Sequence, residues 1–116
     1  MDKFEKMFKA LSDRNRLRIL KMLEKRQLCV CEITETLGLA ASTVSKHLSI
    51  LRGAGLILSE KNGKWVDYKL NDAAQNIAAR QLLSLMPVWL NDDEQVQRDI
   101  ENVANADRNV ICSVEL

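Results

Sequence analysis

A chain of 116 residues with 47% hydrophobic content is sized for one small domain with its own core. No apolar run approaches the ~20 residues of a membrane span, and Met1–Leu11 lacks a signal-peptide pattern, so the expected compartment is the cytoplasm with no membrane partner. Net charge is only +1 but unevenly spread: residues 1–70 hold fourteen Lys/Arg against eight Asp/Glu, and residues 71–116 hold three against eight. A basic body attracts phosphate while an acidic tail faces elsewhere, so near-neutrality does not exclude nucleic-acid binding.

Phe4, Met7, Phe8 and Leu11 recur at helical spacing and make a one-faced opening helix. Ser12 and Asp13 interrupt it, and Asp13 suits the N-cap of a second helix. Leu17, Leu20 and Leu23 line that helix, which leaves Arg14, Arg16, Arg18, Lys21, Lys25 and Arg26 largely in solvent. In QLCVCEITETLGL, Ile33 and Leu37 keep the spacing and Gly38 supplies a left-handed stop.

Residues Ala41 to Ala54 form the element around which the rest is organised. Val44, Leu48 and Leu51 share one helical face, and Ser42, Thr43, Ser45, Lys46 and His47 occupy the other. Short hydrogen-bonding groups and a cation suit the base edges of the DNA major groove. Gly55 then ends the helix, and LILSEKNGKWVDYKL alternates about Asn62-Gly63, a hairpin signal that implies a type I′ turn with positive φ at both positions. Lys61 and Lys64 flank the tip, placed for the sugar-phosphate backbone or minor groove. The pattern is mainly α with a β-hairpin: a winged helix-turn-helix.

Beyond Asp72 the helical pattern returns, with Ala74, Ile77, Ala78 and Leu82 as its stripe and a dense cluster from Leu85 to Leu90. Pro87 kinks or ends this helix. Asn91 reads as the next N-cap, and Val96, Ile100 and Val103 as the buried side of a last helix. Residues 1–90 are read as the DNA-binding and dimerisation domain, and 91–116 as a C-terminal helix and flexible tail carrying Cys112. More apolar surface than so small a domain covers implies a homodimer, with the N-terminal helix and the helix after Asp72 as its interface. Two recognition helices roughly 34–36 Å apart then match a palindromic double-stranded operator.

Three cysteines, Cys29, Cys31 and Cys112, are an odd number without an export signal, which argues for ligands, redox groups or buried apolar residues over a disulfide framework. Within a regular helix Cys29 and Cys31 would diverge by about 200°. They converge only where the backbone is extended or a helix begins, as the sequence implies here. A helix N-terminus lowers a thiol's pKa, and soft thiolates select soft metals and metalloids. A thiol oxidoreductase is disfavoured by the lack of C-x-x-C, of a strand-helix-strand frame and of a catalytic His or carboxylate constellation. No enzymatic activity and no catalytic cofactor are expected.

LSDRNRLRIL, QLCVCEI, STVSKHLSILRGAGLI and KNGKWVDYKL together resemble the ArsR/SmtB family of metal-responsive repressors, over about Phe4 to Leu70. QLCVCEI is similar to the arsenite-sensing ArsR branch, whose ELCVCDL-type motif carries sensor cysteines before the recognition helix. The resemblance implies a repressor that holds operator DNA as an apo homodimer and releases it when As(III) or Sb(III) binds cysteine thiolates. Ser42, Thr43, Ser45 and Lys46 would face bases or nearby phosphates, and Arg52, Lys61 and Lys64 the backbone. Family members often carry a third cysteine three residues after the pair, where this chain has Thr34. Cys112, from either subunit, or an external thiol or water completes the pyramidal arsenic site. Ala40 and Ala41 stand where relatives commonly have Ser and Gln, which removes an N-cap and a base-reading group; Asn15 replaces the usual Thr. Zinc, nickel and cobalt sensors of the family use His and carboxylates after the hairpin, where this chain has no His, and His47 fits a DNA-phosphate or packing role. A thiol-redox or Cd/Pb-responsive repressor of the same fold is the alternative.

Overall fold

In the computed structural model, which describes residues 1–73, 75–107 and 111, six helices surround a three-stranded sheet. Helices α1 (Asp2–Leu11) and α2 (Arg14–Leu23) lead through a short turn to strand β1 (Leu28–Cys29). Helices α3 (Val30–Leu37) and α4 (Ala41–Gly53) follow, then the hairpin β2 (Ile57–Asn62) and β3 (Trp65–Leu70). Helix α5 (Ile77–Leu85), a 3-10 turn (Met86–Val88) and helix α6 (Glu94–Asn105) complete it. The sheet is antiparallel in the order β1-β3-β2.

Local chemistry accounts for most boundaries. The Asp13 carboxylate caps α2 by accepting from the N–H groups of Asn15 and Arg16 at 2.8 and 3.1 Å. Burial pushes that carboxyl up, but the Arg16 N–H and the Arg16 charge outweigh it and hold Asp13 below its ordinary value. Gly38, at φ +70°, ends α3 by giving its N–H to the Thr34 carbonyl, a conformation that costs a side-chain-bearing residue more than glycine. Val44, Leu48 and Leu51 of α4 pack into the core with Leu20, Ile33 and Leu37. Each such side chain contributes about 1.5–3 kcal/mol of burial, so the face of α4 that points inward is fixed and its polar face is left outward.

Several expectations shift. Lys21 is fully buried rather than solvated: its Nζ donates to Glu24 Oε1, the Met86 carbonyl and Asn91 Oδ1 at 2.9, 2.9 and 3.2 Å. Arg18 is likewise drawn in, forking onto buried Asp99 of α6 with contacts of 2.8 and 2.9 Å. The buried stripe of α5 is Ala79 and Leu83, continued by Met86; Ile77 is exposed, and Ala74 lies outside the described residues. Asp93, not Asn91, caps α6 by accepting from Val96 N–H, because Asn91 is held by Lys21 and by the Pro87 carbonyl. The hairpin loop is Gly63-Lys64, one residue later than Asn62-Gly63. Asn62 pairs with Trp65, and only Gly63 of these residues has positive φ, the pattern of a glycine-first two-residue turn.

Candidate metalloid and nucleic-acid site

Cys29 and Cys31 lie at the junction of β1 and α3. Cys29 is the N-cap of α3 with extended backbone (φ −86°, ψ 168°), and Cys31 is the second residue inside the helix. Cys29 lies outside the regular helix, so the 200° divergence of two helical residues does not describe the pair.

Cys29 is buried and takes part in a reciprocal capping box. Its sulfur accepts from the Glu32 N–H, and its own N–H donates to Glu32 Oε1 at 3.0 Å. The C-x-x-E spacing is the thiol version of the Ser/Thr-x-x-Glu box, a signal present in the sequence that reasoning from cysteines alone passes over. Glu32 is itself buried and ion-paired at 2.8 Å to Arg26 in the turn before β1. Burial pushes the Cys29 thiol above its ordinary value of 9.0; the Glu32 N–H opposes this and the Glu32 carboxylate reinforces it. The lowering expected from the helix N-terminus is thus overturned, because the sulfur is out of water and beside an anion. Cys31 is half-buried and disulfide-bonded. Cys112 lies outside the described residues, among which no cluster of three or more His, Cys, Asp or Glu side chains is arranged for a metal ion. Contrary to the expectation of reduced cysteines, Cys31 offers a thiolate only once its disulfide is reduced; the pair then supplies two sulfurs that suit a thiophilic ion, and a third donor must come from beyond those residues or from outside the chain.

On α4, Ser42, Thr43, Ser45 and Lys46 are all exposed along the face opposite the core. Ala40 is the N-cap without a side-chain bond; its carbonyl accepts from Thr43 and Val44. His47 is half-buried, and Arg16 Nη1 donates to its Nδ1 at 3.1 Å. The same guanidinium bonds the Ala10 and Lys9 carbonyls that end α1, at 2.7 and 3.2 Å, so Arg16 ties α1 to the recognition helix. Arg52 near the end of α4 donates to Ser59 of β2 at 3.1 Å, which braces the wing against α4. Lys61 and Lys64 stand exposed at the wing, with Lys64 Nζ 4.8 Å over the Trp65 ring. One edge of the fold thus carries the polar face of α4 and the basic wing tip.

The cysteine turn is joined to both the candidate recognition helix and the wing. Helix α3 packs directly on α4, and β1 pairs with β3 of the wing with Cys29 opposite Asp67. At the other side of the fold, Phe4 and Phe8 of α1 stack 5.6 Å apart yet remain 51% and 54% exposed, and Val88 and Trp89 are also exposed. An apolar groove lined by Phe8, Leu11, Leu82 and Trp89 joins the two segments. No helix among the described residues is long and apolar enough to cross a membrane.

The family described as "Bacterial regulatory protein, arsR family" matches residues 13–59, from the Asp13 cap into the first half of β2. The chain is 37% identical over 112 residues to the arsenical resistance operon repressor of Escherichia coli, covering 92% of this chain and 93% of that one. It is 39% identical over 90 residues to a cadmium resistance transcriptional regulatory protein of Listeria innocua, covering 77% and 70% respectively. The solution structure of a homodimeric winged helix-turn-helix DNA-binding domain from Mycobacterium bovis, described as from a possible ArsR-family transcriptional regulator, superposes with a TM-score of 0.65. Identity there is 26%, over 75% of this chain and 77% of that one. With the winged fold, the outward polar face of α4 and near full-length similarity to a repressor, the chain belongs to the ArsR family of DNA-binding transcriptional repressors.

Proposed function

We propose that this protein is a cytoplasmic arsenite-responsive repressor that holds a palindromic operator as a homodimer and releases it when As(III), or Sb(III), binds Cys29, Cys31 and Cys112. The observation that carries the reading is that the Cys29 sulfur is the N-cap of α3, the helix that seats the recognition helix. Arsenous acid condenses with reduced thiols: each As–S bond forms as one As–O bond breaks, the thiol proton leaves with the departing hydroxyl as water, and no electrons change hands. A Cys29 sulfur bonded to arsenic is a poorer acceptor for the Glu32 N–H, so capture removes half of the capping box. Loss of an N-cap costs about 1 kcal/mol, and couplings of about 1–3 kcal/mol give a 5- to 150-fold change in affinity. A local change at one helix start is therefore enough to operate the switch.

The apolar face of α1 and the segment around Trp89 form the dimer interface in this reading. Ser42, Thr43, Ser45, Lys46 and His47 face the operator, and Arg52, Lys61 and Lys64 its backbone. Similarity to a cadmium resistance regulator makes Cd(II) and Pb(II) the competing effectors, and peroxide tests the redox reading. The experiment is fluorescence anisotropy of a promoter fragment from beside the protein's own gene, with reduced protein, challenged separately with arsenite, antimonite, Cd(II), Pb(II) and peroxide. Release by arsenite and antimonite at concentrations where the others leave the complex intact is expected; release by Cd(II) or peroxide alone overturns the assignment.

A further inference from the structure

The Arg16 guanidinium is anchored on two sides before it meets α4. Its Nε donates to the Ala10 carbonyl at 2.7 Å and its Nη2 to the Lys9 carbonyl at 3.2 Å, both in the last turn of α1. The remaining nitrogen, Nη1, donates to His47 Nδ1 at 3.1 Å, whereas Asp13 Oδ2 stands 3.9 Å from it, beyond hydrogen-bond length. A guanidinium carries donors only, so Nδ1 is the acceptor. An imidazolium has a hydrogen on each ring nitrogen; the ring that accepts here is therefore neutral, with its one hydrogen on Nε2. Nε2 has no partner among the described residues, yet it is not sealed from solvent. His47 is half-buried on α4, one turn beyond exposed Thr43 and beside exposed Lys46.

We infer that Arg16 fixes His47 as a neutral Nε2–H donor, and that this hydrogen meets an acceptor on operator DNA, a phosphate oxygen or a base edge. The assignment rests on the reading that the polar face of α4 meets the operator. Serine and threonine hydroxyls on that face both donate and accept, whereas the locked ring only donates outward. A neutral donor adds a hydrogen bond but, unlike Lys46, displaces no counterion. Amide side chains distinguish the two ring nitrogens. The amide nitrogen of glutamine lies as far along the side chain as Nε2, and that of asparagine only as far as Nδ1.

His47 is the only histidine in the chain, so its ring nitrogens give an unambiguous NMR signal. The folded full-length chain is expected to show one tautomer, with hydrogen on Nε2, and the chain unfolded in urea a mixture. Arg16→Leu should return the folded ring to that mixture; where this variant melts early, the folded and unfolded wild-type spectra decide. Hydrogen on Nδ1, or the same mixture folded and unfolded, overturns the positioning by Arg16. Anisotropy with the promoter fragment and with an unrelated duplex tests the donor. His47→Gln is expected to bind the promoter within threefold of wild type, and His47→Asn at least tenfold more weakly, with the salt slope unchanged in both. An equal loss for both duplexes identifies a phosphate acceptor, and a loss confined to the promoter identifies a base. Equal affinities for the Gln and Asn variants, or a slope flattened by about 0.9 as for a lost cation, overturn the donor role and leave the repressor reading intact. A wild-type chain that ignores both duplexes at low ionic strength overturns both.

Discussion

Cys29 of β1 sits opposite Asp67 of β3, so the residue that caps α3 is also a rung of the ladder that carries the wing. Its thiol is buried beside the Glu32 carboxylate and is held above its ordinary value of 9.0. A thiol raised in this way stabilises the fold fully below that value, and the contribution fades as pH climbs through the folded value. In a Cys31→Ser/Cys112→Ser background, alkylation of Cys29 by iodoacetamide is therefore expected to keep accelerating above pH 9. A plateau reached below pH 8 would mean that the helix terminus governs the thiol.

The Arg18–Asp99 fork joins α2 to α6 where both partners are largely removed from water. Removing one member strands the other, at a cost of about 3–5 kcal/mol. Asp99→Ala should show that loss in urea unfolding, and Arg18→Met combined with Asp99→Leu should recover most of it. A loss under 1 kcal/mol for the single variant contradicts the assignment.

Phe4 and Phe8 form a stacked aromatic pair that this chain alone leaves half in solvent. Phe8→Glu places a charge on that exposed face of α1 and leaves the sequence of α4 unchanged. Sedimentation is expected to show a monomer where wild type is a dimer, with operator affinity at least tenfold weaker. A variant that remains dimeric and binds DNA normally moves the interface elsewhere.

Lys61 near the end of β2 and Lys64 in the wing loop stand clear of ion pairs among the described contacts. If each neutralises one phosphate, replacing it by alanine should flatten the logarithmic dependence of operator affinity on salt by about 0.9. An unchanged slope would remove that lysine from the interface.

Much of the fold follows from short-range rules. The Asp13 cap, the Gly38 stop, the inward face of α4 and the helix end near Pro87 all depend on a few adjacent residues. Long-range pairing decides the features that differ. Lys21 is buried because a carbonyl 65 positions away and Asn91 meet it, and Arg18 because Asp99 lies 81 positions ahead. Asn91 is drawn away from capping by the same lysine. At the candidate site, the location of Cys29 and Cys31 at a helix start was legible from Ile33, Leu37 and the spacing. The direction of the thiol shift was not, since it depends on burial of Cys29 and on a glutamate ion-paired to Arg26.

In the proposed function, arsenic at the Cys29 sulfur uncaps α3 and loosens the grip on DNA. Serine is a good N-cap but offers no thiol, so Cys29→Ser keeps the helix start and removes the soft ligand. Operator anisotropy with and without arsenite tests this directly: the variant should bind DNA within twofold of wild type and stay bound at arsenite concentrations that empty the wild-type complex. Release of Cys29→Ser at the wild-type arsenite concentration would contradict the account.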